Sequence, residues 1–190
     1  MKVIGLTGTL GSGKNTVKHF ILRKFNCYHV TLSDVIRAEI EKKRGTLNRL
    51  TLQDIGNEMR QKYGVHILAL IAIEYLPRDK EMIIVDGIRN PGEAEYLKKK
   101  FGEDFKLIAI DAAQEVRFER TRRRAGPKDL ETLEEFIELD KRDKGEGEPA
   151  HGQQVAACIN MADFKIENND SPEQLEQKID EVMKKIFAGQ

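Results

Sequence analysis

The sequence predicts an α/β fold in which five parallel strands are flanked by helices. Short runs rich in β-branched residues alternate along the chain with longer segments of helical periodicity, which is typical of βα units around a parallel sheet. Several helical segments begin at a capping residue or a proline. At 190 residues the chain fits one such domain and does not require a second. The predicted strands are 3–7, 28–31, 82–86, 105–110 and 164–167.

Helices are predicted between and after these strands. Their predicted starts lie near Lys14, Asp34, Leu52, Val65, Pro91, Gln114, Leu133, Gln153 and Pro172. Two segments depart from plain alternation. Residues 32–76 place three helices between the second and third strands, and residues 117–152 open with a basic run and end in an acidic, glycine-containing stretch. Long connections of this kind often carry function, so we expect a functional insertion in the first and a short mobile lid in the second.

The composition argues against several classes of protein. Lys plus Arg equals Asp plus Glu, at 32 each, so the overall charge favours neither nucleic acid nor an anionic membrane as a partner. The longest apolar stretches, 67–73 and 82–85, are far shorter than the roughly 20 residues that span a bilayer, and no secretory signal is recognisable. Cys27 and Cys158 match no metal or redox spacing. We expect a cytoplasmic protein with two buried thiols, either a monomer or a homodimer.

A glycine-rich loop follows the first predicted strand. Residues 8–14, Gly-Thr-Leu-Gly-Ser-Gly-Lys, have the spacing of the P-loop motif and lead directly into a predicted helix. In such a loop the backbone N–H groups point at phosphate oxygens, the helix adds its positive end, and the lysine adds a full charge. We therefore expect ATP to bind here. The predicted binding residues of this segment are Gly8, Gly11, Ser12, Gly13, Lys14, Asn15 and Thr16.

Two oxygen-bearing side chains are candidates for holding Mg²⁺. The motif calls for Ser or Thr after the lysine, and this chain has Asn15, whose amide oxygen can ligate a hard cation directly or through water. The strand 82–86 ends in Asp86, and ligands gather at the carboxyl ends of parallel strands. We expect Asp86 to hold the water shell of the metal or to orient the acceptor. The alternative is an aspartate that only makes a turn with Gly87.

Three arginines are candidates for binding an acceptor phosphate. Arg37, Arg60 and Arg89 each lie where the chain returns towards the strand ends. Guanidinium suits phosphate because it is permanently charged and donates paired hydrogen bonds. Taken singly, each could equally be a solvated surface residue.

A second group of arginines lies at the start of the predicted lid. Helical spacing places Arg117, Arg120 and Arg124 on one helix face. That face could close over the transferring phosphoryl group and neutralise its developing charge. Closure would also exclude water, which favours transfer to an acceptor over hydrolysis.

The segments around these residues resemble the adenylate-kinase-like superfamily of nucleoside monophosphate kinases and related small-molecule kinases. Residues 32–39 are similar to the segment in which those kinases carry an aspartate and an acceptor-binding arginine, here Asp34 and Arg37. Residues 85–90 are similar to their Asp-Gly-x-x-Arg segment, with Arg89 one residue early. The resemblance covers most of the chain and implies a three-layer P-loop fold with strand order 2-3-1-4-5. It also implies that the helical insertion at about 32–76 binds the acceptor and that the region at about 117–152 forms the lid.

The resemblance extends to several branches of that superfamily. Residues 14–17, 52–60 and 89–95 are similar to phage-type deoxynucleoside monophosphate kinases, and residues 162–169 to dephospho-coenzyme A kinases. An archaeal family of adenylate-kinase-related proteins has the same overall layout. By this resemblance, the loop that begins at Asn168 borders the adenine ring, and Arg120 and Arg124 belong to the lid.

Together these patterns predict an ATP- and Mg²⁺-dependent phosphotransferase. The expected acceptor is a small nucleotide, a nucleoside or deoxynucleoside monophosphate, with Lys14, Asp86, Arg120 and Arg124 acting on the transferred group. A hydroxyl acceptor such as dephospho-coenzyme A is an alternative, in which Asp34 or Asp86 takes the proton. A third reading is an ATP-binding switch or assembly ATPase without a small acceptor.

Overall fold

A single parallel sheet forms the centre of the molecule. The computed structural model describes residues 1–42, 48–74, 76–77, 79–124 and 132–188, without the side chains of Arg49 and Arg124. The strands lie side by side in the order β2-β3-β1-β4-β5, and every pairing is parallel. This confirms the predicted fold class and strand order. The strands are β1 (Lys2–Gly8), β2 (Cys27–Thr31), β3 (Met82–Asp86), β4 (Phe105–Asp111) and β5 (Phe164–Glu167).

The helices begin within three residues of their predicted starts. The start of one helix has a clear cause. Asn90 caps the helix that begins with Pro91, and the Glu93 side chain accepts a hydrogen bond from the backbone N–H of Asn90, which completes a capping box. The helices of the described chain are α1 (Lys14–Lys24), α2 (Leu32–Lys42), α3 (Arg49–Tyr63), α4 (Ile67–Ala72), α5 (Pro91–Phe101), α6 (Gln114–Arg124), α7 (Leu133–Lys144), α8 (Val155–Asn160) and α9 (Pro172–Ala188).

Both faces of the sheet are covered by helices. Helices α2, α3, α4, α5 and α8 contribute to the core on one face, and α1 and α9 to the core on the other. Successive strand residues point to opposite faces, so Val85 joins the first core and Ile84 the second. Every residue of β3 is buried, because this strand is covered on both faces.

The register brings the functional loops to one edge. Leu6 pairs with Asp86, and Gly8 pairs with Ile110, so β1, β3 and β4 end within a few residues of one another at one edge of the sheet. The loops that follow these strands therefore lie side by side, as expected for ligand binding in this class of fold. No helix in the described part of the chain is long and apolar enough to cross a membrane.

The two cysteines differ in burial. Cys158 is fully buried in α8, and burial raises the pKa of its thiol well above the usual range. Cys27 is only half-buried, so the prediction of two buried thiols is wrong for this residue. The reason is its position at the start of β2, which lies at the edge of the sheet.

Much of the segment predicted to form a lid is packed against the rest of the molecule. Phe136 and Asp140 of α7 are buried. Arg142 pairs with Asp54 of α3, and the Asn90 side chain donates to the carbonyl oxygens of residues 150 and 152. A closing movement of the whole segment would break these contacts. The lid stays a prediction, and residues 125–131 of it lie outside the described part of the chain.

Candidate functional site

The glycine-rich loop has the backbone geometry of an anion-binding turn. Gly11 and Gly13 adopt positive φ angles of 77° and 98°, which residues with a Cβ rarely adopt. The loop is closed by a hydrogen bond from the N–H of Ser12 to the carbonyl oxygen of Thr9, 3.3 Å long. Gly13 occupies the N-cap of α1 and has no side chain to cap it, so the first N–H groups of the helix are left to bind an anion.

Neighbouring elements hold the loop closely. A Cβ at Gly11 would overlap the carbonyl oxygen of Arg117 in α6, and a Cβ at Gly13 would overlap the amide of Asn168. The Thr9 hydroxyl donates to Asp111 Oδ1 over 2.5 Å at the end of β4. The loop is therefore positioned by α6, β4 and the loop after β5, and not by its own sequence alone.

Lys14 folds back over the loop. Its Nζ donates to the carbonyl oxygens of Gly8 at 2.6 Å and Thr9 at 2.8 Å. The ammonium group is thus held above the turn. A bound phosphate would replace these carbonyl oxygens as its hydrogen-bond acceptor. Its charge therefore lies at the loop, which agrees with the predicted phosphate-binding role.

Asn168 joins the predicted adenine side of the site to the loop. Its side chain is 5% exposed and donates to the carbonyl oxygen of Ser12 over 2.8 Å. Its backbone N–H donates to the carbonyl oxygen of Asp111. Asn168 therefore lies against the phosphate loop, and its role in binding ATP stays a prediction.

Asp86 lies at the end of β3 and is held between two nitrogen-bearing side chains. Its carboxylate is 3.4 Å from Lys18 Nζ and 3.7 Å from His29 Nε2. Burial acts to raise the pKa of Asp86, but His29 and the charges of Lys18 and Lys14 outweigh it and hold the pKa below its usual value. Asp86 is consequently ionised at neutral pH.

These donors fit the way proteins hold Mg²⁺. A hard cation prefers oxygen ligands, and magnesium is usually bound by one or two carboxylates together with phosphate oxygens and water. Asp86 supplies an ionised carboxylate, and Asn15 is exposed at the second residue of α1. No group of three or more His, Cys, Asp and Glu side chains suited to a metal occurs in the described chain. Asp86 and Asn15 would therefore hold the ion only together with a bound nucleotide.

The lowered pKa of Asp86 predicts a specific pH dependence of stability. Because the folded pKa is below the ordinary value of 3.8, the stabilising contribution is fully present above pH 3.8 and is lost as the pH falls through the folded pKa. We expect Asp86→Asn to remove this contribution, so that the variant loses less stability than the wild type on acidification below about pH 4. Urea unfolding between pH 7 and pH 2.5 measures it, and parallel curves for the two proteins would contradict the assignment.

The three predicted acceptor arginines differ in exposure. Arg37 is 45% exposed on α2 and donates to Asp34 Oδ1 at 2.8 Å. Arg60 is buried in α3 and forms an ion pair with Glu93, which is also fully buried. Arg89 forms an ion pair with the buried Asp143 of α7. All three arginines therefore have a carboxylate partner, but the partners of Arg60 and Arg89 are buried, whereas Arg37 and Asp34 are both exposed.

The arginines at the start of the predicted lid also differ. Arg117 is buried, donates to Asp140 Oδ2 at 2.9 Å and reaches the carbonyl oxygen of Leu10 at 3.1 Å. It supports the phosphate loop through the carbonyl oxygen of Leu10. Because Arg117 is buried and paired with a carboxylate of α7, its predicted place on a closing face is wrong. Arg120 donates to the carbonyl oxygen of Asn168 at 2.9 Å. The side chain of Arg124 lies outside the described part of the structure.

Asp111, Asp140 and Glu93 support this site and were not predicted from the sequence. Asp111 follows a buried strand as Asp86 does, and that position was the one available signal for it. Asp140 and Glu93 lie within helices among other charged residues, and only their burial distinguishes them.

The sequence and the fold match known proteins. Residues 7–137 match the family model of the AAA domain. The chain is 33% identical to the UPF0200 protein of Methanocaldococcus jannaschii over 98% of its length and 91% of that protein. It is 31% identical to the UPF0200 protein of Pyrococcus abyssi, over 97% of each. It is also 35% identical to the UPF0200/UPF0201 protein of Archaeoglobus fulgidus, over 98% of this chain, but spans only 56% of that protein's length.

Solved structures share the fold at low sequence identity. A shikimate kinase from Bacteroides thetaiotaomicron superimposes with a TM-score of 0.58 at 18% identity, over 98% of each chain. A shikimate kinase from Acinetobacter baumannii in complex with shikimate gives a TM-score of 0.57 at 16% identity, over 100% of this chain and 95% of that one. At these identities the comparison establishes a P-loop, kinase-like fold.

Proposed function

Because the chain belongs to the AAA-domain family and to the archaeal UPF0200 family, we propose that it is an ATP- and Mg²⁺-dependent phosphotransferase that acts on a small nucleotide acceptor. One observation supports the proposal most: β1 leads into the phosphate loop with Lys14, and a separate small cavity lies at the end of β3, the strand that pairs with β1. Gly87 and Arg89 line that cavity directly after Asp86. A donor site and an acceptor site side by side are what in-line phosphoryl transfer requires.

The residues of the chain divide the work of transfer. The N–H groups of residues 8–14 and Lys14 bind the phosphates of ATP, and Lys14 neutralises the charge that develops on the γ-phosphoryl group. Asp86, with Asn15, would hold the magnesium ion, which would supply positive charge that offsets the negative charge of the phosphates. Thr16 and Asn168 complete the nucleotide side. Little covalent chemistry is needed from the protein, so positioning and electrostatics supply the rate.

The acceptor side begins at α2. Arg37 is the best placed of the acceptor arginines, since it is exposed and its partner Asp34 is exposed as well. Arg60 and Arg89 line the cavity. Arg120 and Arg124 would move onto the transferred group as the lid closes, and Arg120 would leave Asn168 to do so. The expected acceptor is a nucleoside or deoxynucleoside monophosphate.

One observation favours a hydroxyl acceptor, such as that of dephospho-coenzyme A, as the second candidate. Arg60 and Arg89 are each paired with a buried carboxylate. The cavity therefore has little uncompensated positive charge with which to bind a phosphate group. In that case a carboxylate has to take the hydroxyl proton. Asp86 directly precedes Gly87 of the cavity wall and has a lowered pKa, whereas Asp34 is exposed on α2.

An acceptor panel tests the proposal. ATP is incubated with Mg²⁺ and with each of the ribo- and deoxyribonucleoside monophosphates, with dephospho-coenzyme A, or with no acceptor, and the products are separated by ion-exchange chromatography. We expect a phosphorylated product with one acceptor class, and no product when EDTA removes the metal. Turnover of ATP without an acceptor and without a phosphorylated product would instead favour an ATP-binding switch or assembly ATPase.

A further inference from the structure

A small cavity of about 50 Å³ lies between α2, α3 and the end of β3. Leu32, Ile36 and Leu68 form apolar parts of its wall, and Gln53 and Gln153 are polar parts. A cavity of this size holds a few water molecules or one small polar group. It cannot hold a whole nucleotide, so only one part of an acceptor can enter it in this conformation.

Gln53 lines this cavity, and its side chain carries a buried polar atom without a partner among the described residues. The residue is 2% exposed, and among the described residues its side-chain oxygen has no hydrogen-bond partner. A buried carbonyl oxygen without a partner is costly, at about 1–3 kcal/mol, and such groups are rare in folded proteins. This oxygen therefore belongs to a cavity-lining residue and still lacks a hydrogen-bond donor among the described residues.

The orientation of the Gln53 amide follows from its neighbours. Arg89 can only donate, and its NH1 group is 3.2 Å from Gln153 Oε1, which fixes the Gln153 oxygen towards the arginine. Gln53 Nε2 lies 3.4 Å from the same oxygen, so the nitrogen of Gln53 must face Gln153. A flipped Gln53 would place two oxygens against each other. The oxygen of Gln53 is thus left to accept a hydrogen bond from elsewhere.

The charges around the cavity exclude an anion as that donor. Asp143 balances Arg89, and Glu93 balances Arg60, so the two arginines bring no net positive charge. An ionised phosphate also presents oxygens that would repel the oxygen of Gln53. The missing partner is an uncharged N–H or O–H group.

We propose that Gln53 Oε1 accepts a hydrogen bond from a neutral N–H or O–H group of the acceptor, and that this bond selects among acceptors. The inference rests on the proposed function, because it takes the cavity to be part of the acceptor site. The donor belongs to the part of the acceptor that does not react. It is either an N–H group of the base, or a hydroxyl group of the sugar or of another part of the acceptor.

The first test uses the wild-type protein. The best acceptor of the panel is compared with analogues that each lack one neutral donor, such as a purine without its exocyclic amino group and a 2′-deoxy sugar. One such deletion is expected to lower kcat/KM about 10- to 100-fold, because it leaves the Gln53 oxygen unpaired. Loss on the base analogue identifies an N–H donor, and loss on the sugar analogue identifies a hydroxyl.

The second test uses Gln53→Met, which keeps the length of the side chain and removes the oxygen. The variant is expected to lower kcat/KM for the parent acceptor about 10- to 100-fold, to treat parent and analogue alike, and to keep the KM for ATP. Gln61→Met is the matched control, since Gln61 is exposed on the same helix. Thermal unfolding of both variants shows whether they fold. If Gln53→Met does not fold, the comparison of acceptor analogues on the wild-type protein decides whether this hydrogen bond exists.

Two different failures can be told apart. If acceptors are phosphorylated but no donor deletion changes kcat/KM by more than about threefold, the role of Gln53 is overturned while the proposed function stands. The same holds if Gln53→Met still discriminates as the wild type does. If no acceptor is phosphorylated, the proposed function fails and the inference fails with it.

Discussion

Replacing Lys14 by methionine is expected to lower kcat/KM for phosphoryl transfer about 100- to 1000-fold, which is the loss typical of removing one preorganised electrostatic contact to a transition state. The ammonium group is held over the loop by the carbonyl oxygens of Gly8 and Thr9. Methionine retains the length of the side chain but brings no charge to the phosphates. Both the binding of ATP and the rate of transfer should therefore suffer.

Steady-state kinetics with the acceptor found in the panel measures this effect, and equilibrium titration with ATP separates binding from transfer. Lys184→Met is the matched control, because Lys184 is an exposed lysine on α9 and is not part of the core. It should behave as the wild type does. Activity of Lys14→Met within about threefold of the wild type would remove the basis for a phosphate-binding role of this loop.

Replacing Glu93 by methionine is expected to lower the free energy of unfolding by about 3–5 kcal/mol, because it leaves the charge of Arg60 buried and uncompensated. Glu93 and Arg60 are 0% and 1% exposed, and the pair is 2.8 Å apart. Glu93 also accepts from the backbone N–H groups of Arg89 and Asn90, which positions the loop after β3. At about 2–4 °C per kcal/mol, the melting temperature should fall by roughly 6–20 °C.

Differential scanning calorimetry measures this change, with Glu95→Met as the control, since Glu95 is exposed on the same helix. The double variant Arg60→Met with Glu93→Met should be more stable than Glu93→Met alone, because replacing both members of a buried pair by apolar groups removes the uncompensated charge. Equal stability of the double and the single variant would show that the capping hydrogen bonds of Glu93, and not the ion pair, carry its contribution.

The local patterns of the sequence were sufficient for the architecture. Alternation of β-branched and helical segments predicted all five strands of the described sheet, and the glycine spacing of residues 8–14 predicted the turn in which Gly11 and Gly13 have positive φ angles. The position of Asp86 at the end of a buried strand predicted its place beside the loop. Each of these features depends on neighbours within a few residues, so the sequence carries them directly.

The partners of the charged side chains could not be predicted in this way. Arg117 was expected on a closing face, but α7 covers it and supplies Asp140 from 23 residues away. Arg60 and Arg89 were expected to grip a phosphate, and Glu93 and Asp143 balance them instead. The roles of these two arginines towards an acceptor stay predictions.

Sequence by itself determined which elements form and where the glycine-rich turn lies, because hydrophobic periodicity and glycine conformation act over short range. The order in which the strands pair was predicted only through the resemblance to the adenylate-kinase-like superfamily. Only the tertiary structure decided which charges are paired within the protein, and that the buried oxygen Gln53 Oε1 has no hydrogen-bond partner among the described residues. Whether a buried polar group is satisfied depends on helices that meet in space from distant parts of the chain, and no local pattern records that meeting.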